Sequence, residues 1–337
     1  MVCRRHSARL WRSRYSGRPE RQVKDILLEP CDQENATLAA KPNFFIVGAP
    51  KCGTTALHQY LRPHPNVFMP RVKEPHFFAA DLGNYRIIKT MEDYVKMFAD
   101  STPAHTRVGE ASVYYLRSSV AIPAIRTFNP DAKIIAMFRN PVDMVYALHS
   151  ELLYWSEETV ADFEVAWQLQ ERRRQGFDLP TCRSPLLIQY AEVGQFGTQT
   201  QRLLAVFPRA QVKLILFDDF ASSPGKVYDE VIEFLGIPHD NRTDFPRINE
   251  NRRVRMLWLK HFIRRPPPLL RQTYVGLKRM VGGKPLDSLK REIVTRNSLK
   301  APRPPLAPAF RAELVEAFRD EVGLLSELCG RDLSHWR

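Results

Sequence analysis

The sequence predicts an α/β fold of three layers, in which helices cover both faces of a central parallel sheet. Two apolar runs, FFIV at 44–47 and IIAMF at 134–138, have the character of strands buried on both faces. Each run stops at a turn, and apolar residues at helical spacing follow it. Strands that alternate with helices in this way indicate a parallel sheet.

The predicted elements follow one another in a regular order. In the sequence they are strand 44–48, helix 53–62, a short apolar piece at Val67–Met69, helix 91–99, strand 107–109, helix 117–128, strand 133–138, helix 142–154, helix 160–174, helix 190–206, strand 212–216, helix 224–235 and helix 308–329. Residues 264–305 are rich in proline and arginine and are the least regular part. Ligands of such sheets bind beyond the carboxyl ends of the strands, where Lys51 and Arg139 lie.

The segment FFIVGAPKCGTTAL at 44–57 has the form of a phosphate-binding loop. A strand, a tight glycine loop and a helix start direct unpaired backbone N–H groups and the positive end of the helix dipole toward one anion. The ATP-binding version of the loop is G-x-x-x-x-G-K-[ST]. Gly48 and Gly53 fit it, but Thr54 stands where the lysine belongs, and the lysine lies inside the loop at Lys51. This difference argues against an ordinary ATPase or kinase, although the loop alone also fits a simple strand-to-helix turn.

Four blocks, in order along the chain, are similar to those of a known family. They are PKCGTTAL at 50–57, VKEPHFF at 72–78, IIAMFRNPVDMVYALHS at 134–150 and GRDLSHW at 330–336. From about residue 43 to 336 the chain resembles the bacterial sulfotransferase-domain family, which is related to the carbohydrate (heparan-type) sulfotransferases. The resemblance implies a P-loop-like fold and 3′-phosphoadenosine 5′-phosphosulfate as the sulfuryl donor, and it leaves the acceptor open.

The resemblance also implies which residues bind the donor. Its 5′-phosphate would contact the Lys51 side chain, the amides of the next four residues, and two hydroxyls; these four residues are Cys52, Gly53, Thr54 and Thr55. Lys51 would also neutralise the charge that develops on the bridging oxygen.

The 3′-phosphate of the donor would be bound by Arg139. The family usually places a serine eight positions later, where this chain has Ala147. The missing serine puts the strength of 3′-phosphate binding in question. Ser150, three residues further along the helix, is better interpreted as an ordinary helical serine than as a replacement. Arg253 and Arg255, in NENRRVR at 249–255, are further candidate phosphate contacts.

Glu74 is the candidate catalytic base. In carbohydrate sulfotransferases the glutamate of the KEPHFF block takes the acceptor's proton, and the whole block is present here. Because Pro75 follows, we expect extended backbone at Glu74, which would place His76 on the same side as a second proton-handling or acceptor-binding residue. The alternatives are a surface ion pair between Lys73 and Glu74 and a purely structural histidine.

Two further segments have more modest interpretations. The resemblance places Glu110 and Ser112, in GEASVYYL, near the acceptor. LILFDD at 214–219 resembles the Walker B strand of an ATPase. Since the Walker lysine is missing, we expect its two acids to be helix-capping or surface residues.

Charge is placed unevenly along the 337 residues, which carry a formal net charge of +13. Residues 1–24 contain eight Lys or Arg and one acid, whereas 252–303 contain fifteen and two. The rest of the chain is therefore net negative, and we expect no nucleic-acid partner. We predict a basic, disordered tail at 1–40 and a single domain at 41–337.

The basic segment 252–305 within this domain has three possible roles. In 256–283, apolar and aromatic residues at helical spacing are flanked by basic ones, a pattern that suits an anionic membrane surface. A mobile lid over the acceptor site and a helix packed on the body fit equally. No apolar run is long enough to span a membrane, and five scattered cysteines fit reduced thiols. We therefore expect a cytoplasmic protein that is at most peripherally membrane-bound.

The function predicted from the sequence is transfer of a sulfuryl group to a hydroxyl or amine of a small-molecule, sugar or lipid acceptor. No metal is expected, because lysine, arginine and the helix end supply the charge that magnesium supplies in kinases. An ATP-dependent small-molecule kinase is the first alternative. A non-catalytic module that binds nucleotide or an anionic polymer is the second, and the presence of both Lys51 and Glu74 counts against it.

Overall fold

The computed structural model of the chain describes residues 41–248, the backbone of 252–254 and 298–300, and residues 303–336. Its central sheet is parallel throughout and has the order β2-β3-β1-β4-β5. The strands are β1 (Phe44–Gly48), β2 (Val67–Phe68), β3 (Arg107–Ala111), β4 (Lys133–Phe138) and β5 (Val212–Leu216). A separate antiparallel pair joins β6 (Arg252–Val254) to β7 (Ser298–Lys300).

Helices connect and flank the strands, so the predicted α/β, P-loop-like fold class is confirmed. They are α1 (Thr54–Leu61), α2 (Met91–Lys96), α3 (Ala121–Phe128), α4 (Pro141–Trp155), α5 (Phe163–Gln168), α6 (Gln170–Arg174), α7 (Tyr190–Val193), α8 (Phe196–Val206), α9 (Phe217–Ser222), α10 (Pro224–Leu235) and α11 (Pro308–Cys329). Short 3₁₀ helices lie at Ala80–Tyr85, Pro185–Ile188, Arg209–Gln211 and Ser334–Trp336.

Strand β1 is the centre of the sheet, and every one of its residues is buried. Phe45 lies opposite Glu110 of β3 on one side and Ile134 of β4 on the other. Because both faces of the sheet are covered, β1 and β4 are continuous apolar runs in the sequence and do not alternate between apolar and polar residues. The parallel pairing also brings the carboxyl ends of β1, β3 and β4 to one edge of the sheet.

Four predicted helices differ from the structure by more than one residue at an end or by a break, and the helix expected at 91–99 already ends at Lys96. The helix expected at 117–128 begins at Ala121, whose N–H donates to the Ser118 hydroxyl at 3.0 Å. The helix expected at 160–174 is divided into α5 and α6, and that at 190–206 into α7 and α8. The second break lies at Gly194, where an added Cβ would stand 2.3 Å from the Phe318 ring. The helix α11 therefore packs directly on the break.

The acids of LILFDD lie in the first turn of α9, a helix that the sequence did not predict. Asp218 accepts a hydrogen bond from the Trp336 indole N–H at 2.7 Å. Asp219 forms an ion pair with Arg331 at 3.0 Å. Both acids thus fasten the C-terminal GRDLSHW block to the end of β5, which agrees with a structural role and not with a Walker B site.

Several predictions concern residues that the structure does not describe. The tail at 1–40, the Arg253 side chain, Arg255 and the segment 256–283 lie outside the described residues. Within the described part of the chain, no helix has the length and apolar character needed to cross a membrane.

A fully buried ion pair stabilises the region after α4. Arg173 of α6 donates from two nitrogens to the Glu158 carboxylate, at 2.7 and 2.8 Å, and both side chains are inaccessible to solvent. Tyr190 donates its hydroxyl to the same carboxylate at 2.8 Å. The backbone N–H groups of Thr159 and Val160 complete its hydrogen bonds. A buried carboxylate satisfied in this way depends on its cation.

Replacing Arg173 should therefore destabilise the fold. Arg173→Met leaves the Glu158 charge buried and unpaired, and we expect the free energy of unfolding to fall by about 3–5 kcal/mol in urea denaturation. Adding Glu158→Gln removes that charge and keeps an acceptor oxygen, so the double variant should regain part of the loss. A single variant as stable as the wild type would contradict this account.

Candidate active site

A cleft of about 160 Å³ lies at the carboxyl ends of the strands. The loop after β1, the helix α4 and the segment around Glu74 form its walls. It is lined by most of the predicted site residues, namely Lys51, Gly53, Thr54, Thr55, Glu74, Arg139 and Ala147. The fold thus brings together residues from three separate sequence blocks.

The phosphate-binding loop is shaped by Gly53, which has φ +91° and precedes the first residue of α1. This left-handed conformation is natural for glycine, and an added Cβ would lie 3.1 Å from the Phe220 ring. Thr54 and Thr55 begin α1, where no preceding helical turn supplies an acceptor for their N–H groups, and both residues line the cleft. The loop can therefore hold an anion.

Cys52 contributes its backbone to this loop and not a reactive thiol. Its side chain is fully buried, and Sγ donates to the Pro50 carbonyl at 3.3 Å. Burial raises the pKa of the Cys52 thiol to about 12. The thiol is therefore neutral at physiological pH and is not a nucleophile.

Lys51 extends from the loop to α4, where its ammonium lies 3.1 Å from the Glu151 carboxylate. Both side chains are partly exposed, at 29% and 37%. Glu151 was not predicted from the sequence. The sequence could have indicated that Glu151 lines the cleft, because Glu151 lies one helical turn beyond Ala147 and so on the same face of α4.

Arg139 follows the last residue of β4, and its guanidinium stacks over the Phe217 ring at 4.9 Å. Asn140 then caps α4 by accepting from the Val142 N–H at 3.0 Å. The Asn140 amide also donates to the Trp336 carbonyl at 3.3 Å. The Asn-Pro turn and the C-terminal block thus fix the direction in which Arg139 leaves the sheet.

Ala147 lines the cleft, so the family's usual serine hydroxyl is missing there. Ser150 does not replace it, because its hydroxyl donates to the Tyr146 carbonyl within the same helix at 3.1 Å. The interpretation of Ser150 as an ordinary helical serine is therefore confirmed.

Arg303 stacks on the Tyr146 ring at 5.6 Å, and burial together with the charge of Arg139 lowers the pKa of Arg303. A second cation thus lies near Arg139.

Glu74 faces the cleft, but the extended backbone expected there is wrong. Its φ is +63°, and its N–H donates to the Ala111 carbonyl at the end of β3 at 2.9 Å. Its carboxylate forms an ion pair with Lys73, as one of the alternatives proposed. Burial opposes ionisation, yet the charge and hydrogen bond of Lys73 lower the pKa of Glu74. Glu74 is therefore ionised at neutral pH, while its side chain stays 30% exposed.

His76 lies behind Glu74 instead of beside it on an extended strand. Its φ is +53°, it is buried, and Nδ1 lies 2.8 Å from the Glu74 carbonyl. Nδ1 must donate this hydrogen bond, which leaves Nε2 as the lone-pair nitrogen, and Nε2 has no partner among the described residues. Burial lowers the pKa of His76 to about 4, so the ring is neutral.

Glu110 and Ser112 belong to a buried layer beneath the cleft and not to its wall. Both are fully buried. Glu110 accepts hydrogen bonds from the hydroxyls of Tyr115 at 2.8 Å and Tyr94 at 3.1 Å. Ser112 accepts from the His76 N–H at 3.0 Å. These contacts connect β3 to the turn that carries Glu74.

The opposite wall of the cleft contains residues that sequence reasoning missed. Arg183 donates through Nε and its backbone N–H to the buried Glu157, each at 2.7 Å, and its guanidinium stacks on the Tyr85 ring at 4.4 Å. Trp155, at the end of α4, is 44% exposed. Arg183 comes from an irregular segment and Tyr85 from the end of a short 3₁₀ helix, where no periodicity marks a side chain as lining a site.

The fold and the cleft define an α/β protein in which a glycine loop after β1, an arginine after β4 and the Glu74 carboxylate line one cleft. Residues 41–262 match the family described as Sulfotransferase domain. The chain belongs to this family.

Relatives of the chain agree with this assignment. It is 29% identical over 252 residues to carbohydrate sulfotransferase 15 of Rattus norvegicus, a match that covers 59% of this chain and 44% of that protein. It is 29% identical over 241 residues to bifunctional heparan sulfate N-deacetylase/N-sulfotransferase 4 of Mus musculus, with 66% and 26% covered. The chain thus spans less than half the length of these curated relatives.

A solved structure is also similar. The crystal structure of a sulfotransferase from Alicyclobacillus acidocaldarius has a TM-score of 0.65 and 30% sequence identity to this chain. The match covers 88% of this chain and 99% of that one.

The buried layer beneath the cleft should make stability depend on pH. Burial raises the pKa of Glu110 to about 7 from an ordinary value of 4.5, despite hydrogen bonds from Ser112, Tyr115 and Tyr94. Between these values the native state binds a proton that the unfolded state has lost. The Glu110 contribution to stability is therefore largest at low pH and is lost as pH rises through 7, by up to about 1.4 kcal/mol per pH unit.

Urea unfolding between pH 5 and 8 checks this dependence. Glu110→Gln keeps an acceptor for the two tyrosine hydroxyls and removes the titration, so its stability should fall less across this range than that of the wild type. The exposed Glu92→Gln is the control and should follow the wild-type profile. Identical profiles for all three proteins would contradict the assigned titration.

Proposed function

We propose that this protein transfers the sulfuryl group of 3′-phosphoadenosine 5′-phosphosulfate to a hydroxyl or amine of an acceptor. The observation that carries the proposal is that one cleft unites Lys51, Arg139 and Glu74. Two cations that follow adjacent parallel strands suit the two phosphate-bearing ends of this donor, and the Glu74 carboxylate lines the same cleft. Membership of the sulfotransferase-domain family supports the same reaction.

Donor binding is assigned to the loop after β1 and to the start of α4. The loop amides, with Lys51, would hold the 5′-phosphate, and Arg139 would bind the 3′-phosphate. Stacking on Phe217 restricts the Arg139 guanidinium before the ligand arrives. Arg303, whose charge interacts with that of Arg139, is a candidate to offset the hydroxyl that Ala147 lacks.

The acceptor is activated by Glu74. As the acceptor oxygen or nitrogen bonds to sulfur, Glu74 takes the proton that it releases. Lys51 neutralises the negative charge on the 5′-phosphate, which keeps the electron pair of the broken sulfur–oxygen bond. Lys73 keeps Glu74 ionised, the protonation state that a base requires. His76 would act through its hydrogen bond to the Glu74 carbonyl, by holding the base in place.

A sugar is the acceptor class that we favour. The two relatives are named for sulfotransfer to carbohydrate and to heparan sulfate. In this chain the cleft is lined by the exposed Trp155 ring and by the Arg183 guanidinium, which is stacked on Tyr85. Aromatic rings offer flat apolar surfaces to a sugar ring, and a guanidinium suits an anionic substituent. We further propose a cytoplasmic location, which rests on the sequence alone.

The nucleotide preference tests the reaction class. 3′-Phosphoadenosine 5′-phosphate should raise the melting temperature of the protein by mass action, because Lys51 and Arg139 bind its two ends. ATP with magnesium should raise it much less, since the loop lacks the Walker lysine. Equal stabilisation by both nucleotides, or a requirement for magnesium, would favour the kinase and overturn the sulfotransferase proposal.

The role of the base is tested by Glu74→Gln. The variant should fold and bind nucleotide like the wild type but lose about 10²–10⁴-fold in turnover. Turnover is measured by mass spectrometry of labelled sulfuryl groups transferred to a cell extract and to a panel of oligosaccharides, lipids and small alcohols. Glu92→Gln, which removes an exposed glutamate that is also paired with a lysine, is the matched control. Unimpaired turnover in Glu74→Gln would place the base elsewhere, with His76 the next candidate.

A further inference from the structure

Lys51 has a partner within the cleft that the proposed reaction does not use. Its ammonium lies 3.1 Å from Glu151, and both residues line the cleft. Lys51 comes from the loop after β1 and Glu151 from α4, so the ion pair connects two walls of the site. Among the described residues, Lys51 is the cation paired with Glu151, because the nearby Arg183 is already bound to Glu157.

This contact conflicts with donor binding. The 5′-phosphate needs the ammonium of Lys51, and a carboxylate at the same ammonium both occupies it and repels the incoming anion. A partly exposed ion pair contributes little net stability, so a phosphate with two or more charge-assisted contacts can replace it. Glu151 is 37% exposed, and water can solvate its carboxylate once Lys51 has left.

We propose that Glu151 is a positioning residue that holds Lys51 against α4 in the empty cleft and competes with the nucleotide 5′-phosphate for it. The inference rests on the proposed function, because it assumes that the loop binds that phosphate. Nucleotide binding then exchanges one anionic partner of Lys51 for another. Because the same carboxylate recaptures Lys51 afterwards, Glu151 also favours release of the product nucleotide.

The test is isothermal calorimetry of 3′-phosphoadenosine 5′-phosphate binding to the full chain. Glu151→Gln keeps the size of the side chain and removes its charge, and it should bind the nucleotide about two- to fivefold more tightly. The melting temperature without nucleotide should stay close to that of the wild type, since a partly exposed pair adds little to stability. A purely structural role of Glu151 would instead lower the melting temperature and weaken binding.

A matched control lies on another helix. Glu230 of α10 is 42% exposed and forms an ion pair with Lys213 at 2.8 Å, but it does not line the cleft. Glu230→Gln removes the same charge from a similarly exposed glutamate–lysine pair, so it should leave nucleotide affinity nearly unchanged. An equal gain in both variants would show that net charge alone is responsible, and it would overturn the inference.

Measuring Glu151→Gln in a Lys51→Ala background as well separates competition for Lys51 from direct repulsion of the nucleotide by Glu151. If Glu151 acts through Lys51, the gain from Glu151→Gln should shrink markedly in the Lys51→Ala background. A gain of the same size in both backgrounds would overturn the inference. The two proposals fail differently: absence of nucleotide binding by the wild type contradicts the proposed function, whereas wild-type binding without a gain in Glu151→Gln contradicts only the role of Glu151.

Discussion

The parallel pairing of β1 with β4 is the constraint on which the site depends. Phe45 of β1 lies opposite Ile134 of β4, and both strands run to the same edge of the sheet. Lys51 and Arg139 leave the sheet from these two strand ends. The register of the two strands therefore sets how far apart the chain places these two residues. The proposed donor, with its two anionic ends, would thus be recognised by the spacing of two chain segments and not by a single local motif.

Around this frame, buried contacts fix the walls of the cleft. On one side, the Asn140 amide and Asp218 fasten the C-terminal block beside the Arg139 turn. On the other side, the buried pair of Arg173 with Glu158 stabilises the segment after α4. Glu157, which precedes Glu158 in the sequence, holds Arg183 in the cleft. Contacts between separate segments therefore determine where Arg139 and Arg183 stand in the cleft.

The sequence was sufficient to predict the fold class, the bounds of β1, β4 and β5 and the convergence of Lys51, Glu74 and Arg139. These features depend on apolar runs, glycine turns and motif order, which are local in sequence. It was insufficient at Glu74, where proline at the next position indicated extended backbone and the structure has a positive φ. Here the hydrogen bonds to Ala111 and His76 override the local preference. Arg183 and Glu151 were missed because their partners, Glu157 and Lys51, come from other segments.

The acidic residues of the cleft differ in burial, and this difference separates fixed contacts from exchangeable ones. Glu157 is almost fully buried and accepts two hydrogen bonds from Arg183, so removal of the Arg183 side chain would leave a buried carboxylate without its cation. Glu151 and Glu74 keep about a third of their side chains exposed, and each has a lysine as its partner. Lysine is a flexible point charge that changes partners without a fixed hydrogen-bond geometry. The arginine pair thus fixes one wall of the cleft, while the two lysine pairs can exchange partners, as the proposed binding of the donor and the proposed proton transfer require.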